Sequence, residues 1–120
     1  MKQKIQLIEQ EITAPTSFIT LSDELDSQFD FLTGIAFLDN IPEGSLLATS
    51  SVDGIELFPK DFETEFLKSN ASVSPNERFF SIDKREAKGN TIELGYSDIN
   101  RPESTTYPYT LRVYLRLENE

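Results

Sequence analysis

Hydrophobic and polar residues alternate most plainly towards the end of the chain. From Tyr107 to Glu118, the residues Tyr109, Leu111, Val113, Leu115 and Leu117 fall on one face, with Thr110, Arg112, Tyr114, Arg116 and Glu118 on the other. A period of two is what a half-buried antiparallel strand demands, because successive side chains point to opposite sides of the sheet. A second long strand is predicted from Gln28 to about Asp39, with Phe29, Phe31, Thr33, Ile35 and Phe37 sharing a face. Its other face turns apolar after Asp30 (Leu32, Gly34, Ala36, Leu38), so cover on both sides is expected. Gly34 there marks a bulge or a close approach of another backbone.

Shorter segments follow the same logic. Ser45 to Val52 and Ile55 to Phe58 flank Asp53-Gly54, a dipeptide suited to a tight type I′ hairpin, where both central residues need positive φ. Arg78 to Ile82 and Thr91 to Tyr96 read as strands, the second entered through a Gly89-Asn90 turn, and Ser17 to Leu21 is short and extended. Lys4 to Ile12 fits a strand through Ile8 and Ile12 but also a helix through Ile5, Ile8 and Ile12; the strand is preferred. One short helix is expected near residues 61–67, where Asp61 can cap and Phe62 and Phe66 stand four apart. Strands without interleaved helices argue against a parallel α/β sheet. The expectation is an all-β, antiparallel two-sheet sandwich, an eight-stranded jelly roll or Greek key, forming one domain over residues 1–120. Residues 1–12 are an N-terminal arm or an edge strand.

Composition narrows the chemistry. Cysteine and histidine are both absent, which removes disulfides, thiolate nucleophiles, the usual proton shuttle near neutral pH and the commonest transition-metal ligands. Oxygen ligands for a hard cation remain. The weak calcium candidate is Asp23, Glu24 and Asp26, which lack the Asp-x-Asp-x-Asp-Gly spacing of a helical calcium loop. Twenty-one acidic residues against eleven basic ones give a net charge of −10, which disfavours direct contact with nucleic acid or an anionic lipid surface. No apolar run is long enough to span a bilayer, and the N-terminal residues turn acidic too soon for a signal-peptide core, so a cytoplasmic location without membrane insertion is expected.

No catalytic or cofactor-binding residue is expected. Serines lack a histidine base and a Gly-x-Ser-x-Gly elbow. Ser81-Ile82-Asp83-Lys84 matches Ser-x-x-Lys, but at a strand end and without its companion motifs. Asn70-Ala71-Ser72 matches a glycosylation sequon, read here as coincidence. Tyr96, Tyr107, Tyr109 and Tyr114 offer faces for stacking on a sugar, although strands favour tyrosine anyway. The candidate interface residues are Ile5, Leu7, Ile8 and Ile12, apolar positions that an isolated strand would leave uncovered, together with Tyr107 and Tyr109 around Pro108.

The order of these features resembles that of the small single-jelly-roll virion proteins of tailless icosahedral bacteriophages. The Phe29–Phe37 strand leads into the Ser45–Phe58 hairpin, and Pro59-Lys60-Asp61-Phe62 opens a short helix. Ser74-Pro75-Asn76-Glu77-Arg78-Phe79-Phe80 enters the next strand, and Tyr107-Pro108-Tyr109 begins a closing strand ending in Leu115-Arg116-Leu117. The resemblance spans about residues 17–118 and implies a capsid vertex (penton), minor capsid or spike-base protein. Such a protein would be a non-enzymatic homo-oligomer, a pentamer or trimer among other protein subunits, in a virion assembled in the host cytoplasm. The alternative from a different class is a carbohydrate- or peptide-binding β-sandwich module.

Overall fold

In the computed structural model, ten strands form two sheets whose inner faces enclose a single core. The structure describes residues 3–14, 19–38, 41–42, 44–59, 62–64, 67–69, 79–98 and 102–119. Asp61, Phe66, the Asn70–Ser72 sequon and the Ser74–Arg78 stretch lie outside the described residues.

The first sheet contains β1 (Gln3–Ile12), β10 (Tyr109–Glu118), β3 (Phe31–Leu38) and, along the far side of β3, β8 (Phe80–Glu86) and β7 (Lys68–Ser69). The second contains β2 (Ile19–Glu24), β9 (Thr91–Ser97) and β4 (Leu46–Val52), with β5 (Ile55–Glu56) and β6 (Phe62–Glu63) sharing the far side of β4. Pairing is nested. β1 joins β10, β2 joins β9, β3 joins β8, and β4 joins β5 and β6; all of these are antiparallel, and only the two-residue contact of β7 with β3 is parallel. One margin of the sandwich is therefore β1 and β2, and the opposite margin is β8 with the β5–β6 edge.

The closing strand follows its alternation throughout: Leu111, Val113, Leu115 and Leu117 are all fully buried. Ile35 and Phe37 meet them from β3 in the register Leu115↔Ile35 and Val113↔Phe37. Ahead of them the expected face of β3 fails. Leu117 pairs with Leu32 while Arg116 pairs with Gly34, so Thr33 is an extra residue that exchanges the two faces. Leu32 is consequently buried and Phe31 is not, a correction to the sequence reading. The close approach at Gly34 comes from a side chain and not from another backbone: a Cβ there would lie 3.0 Å from the Arg116 guanidinium. That guanidinium donates to the Thr33 hydroxyl and carbonyl.

The hairpin at Asp53-Gly54 forms with both residues at positive φ, 52° and 77°, as type I′ geometry requires. The turn into β9 uses Lys88 and Gly89 (φ 37° and 83°) rather than Gly89-Asn90. The helix expected near 61–67 is replaced, in its described part, by strand and turn. Phe62 and Glu63 pair with Leu47 and Leu46, Thr64 caps the pair by donating from its hydroxyl to the Ser45 carbonyl, and Leu67 N–H closes a single turn onto Thr64. The cause is aromatic packing: Phe62 stacks on Phe58 at 4.7 Å, which draws the chain onto the edge of β4.

β1 is an edge strand and not a detached arm. All ten of its residues are in register with β10, and its inward residues Ile8 and Ile12 belong to the core. Among the described residues, no helix is long and apolar enough to cross a membrane.

Candidate interaction surface

Six residues were candidates for an interface, and the fold divides them. Alternation along β1 turns Ile5 and Leu7 outwards, 45% and 39% exposed, in register with Arg116 and Tyr114 of β10. Ile8 and Ile12 point the other way and are buried, so they serve the core and offer nothing to a partner. Glu9 and Glu11 continue the outward face, giving a short aliphatic strip followed by acid.

Lys4 and Gln6 fix this strand against the corner after β2. Gln6 donates through Nε2 to Asp23 Oδ2 (3.1 Å) and to the Glu24 carbonyl (3.0 Å), and its Oε1 accepts from Asp26 N–H (3.1 Å). Lys4 donates to Asp26 Oδ2, and Gln28 N–H donates to Oδ1. These contacts hold the Asp26 carboxyl below the usual carboxylate range, Lys4 contributing most and Gln28 next. The calcium candidate is corrected accordingly. The Asp23 and Asp26 carboxylates are spent on β1 and on the backbone, Glu24 takes part through its main chain, and among the described residues no group of acidic side chains converges as a metal site would require.

Tyr107 and Tyr109 sit in a different constellation, which anchors the start of β10 to the end of β9. The Tyr107–Pro108 bond is cis. Both phenols donate to the same oxygen of the buried Asp98, at 2.6 and 2.9 Å. The Tyr96 and Tyr109 hydroxyls lie 3.0 Å apart, and with the Tyr109 proton on Asp98 any proton shared between them is the one on Tyr96. Ser45 Oγ lies 2.9 Å from the Tyr96 hydroxyl and donates to the Pro42 carbonyl at 2.8 Å. Burial pushes the Tyr96 and Tyr109 phenols up in pKa, and for Tyr109 the contacts with Tyr96 and Asp98 push further in the same direction. Such a network anchors a loop against a sheet and is poorly placed to stack on a sugar. Sequence reading flagged its two proline-flanking tyrosines, took Tyr96 only as a face for stacking on a sugar, and missed Ser45 and Asp98. A fully buried tyrosine needs a partner for its hydroxyl, and that was the one available signal.

A second surface lay beyond sequence reading altogether. At the margin opposite β1, a groove of about 330 Å³ opens between the sheets, lined by Leu57, Phe58, Phe80, Ser81, Ile82 and Arg85. Phe58 and Phe80 line it with ring centroids 5.9 Å apart, Phe62 packs against both at 4.7 and 6.4 Å, and Phe80 is 37% exposed. Arg85 donates through Nη2 to the Glu56 carbonyl at 3.1 Å, while its Nε is screened from solvent and has no hydrogen-bond partner. The Arg112 Nε beside Glu9 is in the same state, so the unmet donor does not set this groove apart. Ser81 lies on the groove wall.

No family model matches this chain, and neither a curated protein nor a solved structure matches it.

Proposed function

We propose that this chain is a non-enzymatic structural subunit acting through its protein surfaces, and that its assembly is a virion, at a capsid vertex, minor-capsid or spike-base position. The observation that supports this reading is the nested strand pairing. First with last, second with second-last and so on is the order expected of a long hairpin rolled onto itself, which supports reading the sandwich as an eight-stranded jelly roll with β5 and β6 acting together as the fifth strand. Viral capsid domains use that layout, and the order of sequence features already resembled them. In this reading the partners are other protein subunits, including three or five copies of this chain, and the setting is the host cytoplasm during assembly. The charge of −10 suits contact with protein and disfavours contact with nucleic acid.

Lectins share the jelly-roll layout as well, which leaves a second reading as a carbohydrate- or peptide-binding module. The groove lined by Leu57, Phe58, Phe80, Ser81, Ile82 and Arg85 favours its peptide form, because apolar walls beside a hydroxyl and a guanidinium suit a peptide's side chains and backbone carbonyls. Native mass spectrometry with light scattering separates the two. The structural reading expects several copies per particle. A chain that stays monomeric at high micromolar concentration with no co-purifying partner overturns it, and micromolar binding of that monomer to a peptide or glycan array installs the alternative.

A further inference from the structure

Four strand margins bound the two sheets, and three of them are guarded. β5, β6 and β7 are two residues long, too short to template another strand. β8 bulges at its middle, where residues 82–84 stand opposite Thr33 alone, and a bulge breaks the ladder that an incoming strand would follow. β2 is six residues long and ends in Ser22-Asp23-Glu24, at the corner that Gln6 holds. β1 has none of these devices. Its ten residues run in unbroken register with β10, and among the described residues it pairs with no other strand. Every second residue of an antiparallel ladder turns its N–H and C=O away from the neighbour, so β1 presents a row of main-chain donors and acceptors to its open side.

The charges around that edge select what can pair with it. On the outward face Ile5 and Leu7 are followed by Glu9 and Glu11, and on the side of the second sheet lie the exposed Asp23 and Glu24. Lys4, the one cation of β1, is held by Asp26. Arg112 comes no nearer to Glu9 than 3.9 Å, and Glu11, Asp23 and Glu24 have no cationic partner among the described residues. We propose that the open edge of β1 receives an extended, basic segment of a different protein subunit, antiparallel to β1, as an added strand. Residues directly opposite each other share a face of the sheet. Opposite Glu11, Glu9, Leu7 and Ile5 the incoming segment therefore carries two cations and then two aliphatic residues, at alternate positions. A second copy is the wrong occupant of this edge, because it brings a further charge of −10 and the same acids to the same margin.

This inference rests on the reading of the chain as a subunit that works through protein surfaces, and it names one surface and its partner. Fluorescence anisotropy with labelled peptides tests it on the full-length chain. Lys-Thr-Lys-Thr-Val-Thr-Val should bind, with an affinity that falls as salt is raised. Two controls should bind at least about tenfold more weakly: Glu-Thr-Glu-Thr-Val-Thr-Val, which lacks the cations, and the basic peptide N-methylated at alternate amides, in the phase that removes the donors facing β1. A chain carrying Glu9→Lys and Glu11→Lys together should reverse the preference and take the acidic peptide. Both positions are exposed, so its circular dichroism should match that of the parent. Equal binding of the acidic and basic peptides overturns the proposal. Equal binding of the basic peptide methylated in either phase overturns it as well, since attraction without strand pairing would suffice. An oligomeric chain that binds none of the peptides loses this contact and keeps the assembly reading, whereas a monomer with neither partner nor peptide loses both. A dimer of the unliganded chain that Leu7→Lys dissolves would put a second copy on this edge and overturn the proposal too.

Discussion

At Thr33 the chain carries one residue more than β10 opposite it, and that residue decides which neighbour reaches the core. Leu32 is fully buried against Leu117, while Phe31, before it, sits at the rim opposite Glu118. Leu32→Ala should therefore cost about 2–5 kcal/mol by denaturant unfolding. Phe31→Ala, although it removes a larger side chain, should cost about 1 kcal/mol. A reversed order would mean that the bulge is misplaced. The buried tyrosines make a second residue-scale test. Tyr96 and Tyr109 hold their protons more tightly in the folded protein than in the unfolded chain, where a phenol titrates near about pH 10. The stability this adds is complete below that pH and is lost as the pH rises through it, because the unfolded chain then gains by ionising. Absorbance at 295 nm should accordingly show Tyr96 and Tyr109 titrating only together with loss of the sheet signal. All four tyrosines ionising near pH 10 with native circular dichroism intact would contradict the network.

Among the elements, β1 carries the heaviest structural duty for a segment that sequence alone left between arm, helix and strand. It contributes Ile8 and Ile12 to the core, ten residues in register with β10, and the Gln6 amide that satisfies the corner after β2. Deleting residues 1–12 should thus lower the thermal midpoint drastically or abolish cooperative unfolding; a deletion variant that melts like the full chain would show that β1 is dispensable. The reason for the ambiguity is physical. Edge strands bury only part of one face, so their alternation is diluted by outward residues such as Ile5 and Leu7. β10 was legible because it is covered by β1 and β3 and packs one unbroken apolar face into the core. The hairpin at Asp53-Gly54 was legible because its turn chemistry is local. β6 was not, since Phe62 and Phe66 have helical spacing and only the tertiary partner Phe58 selects strand. The groove could not be read at all. Its walls come from residues 57–58 and 80–85, brought together by the meeting of two sheet margins.

At the scale of the whole molecule, nested pairing places the most distant parts of the chain side by side. Gln3 donates to Glu118 across 115 residues of sequence, while β4 and β5, at the centre of the nest, are joined by a two-residue turn. Long ladders that close late carry a large loop-closure entropy, so folding in the millisecond-to-second range is expected. The same geometry specifies a rearrangement that should be tolerated. Joining residue 119 to residue 3 through a short Gly-Ser linker, and opening the chain between Asp53 and Gly54, cuts an exposed turn and leaves every long ladder in place. The ten-residue β1–β10 pairing then becomes a local hairpin, while the two-residue β4–β5 and β4–β6 pairings become remote. Mean sequence separation of contacts falls, so the permuted chain should refold faster than the parent in stopped-flow experiments, with its near-ultraviolet spectrum unchanged. Slower refolding would assign the nucleus to the β4–β5 turn. A permuted chain that fails to reach the native spectrum would mean that the turn at Asp53-Gly54 must be intact before the outer strands can find their register.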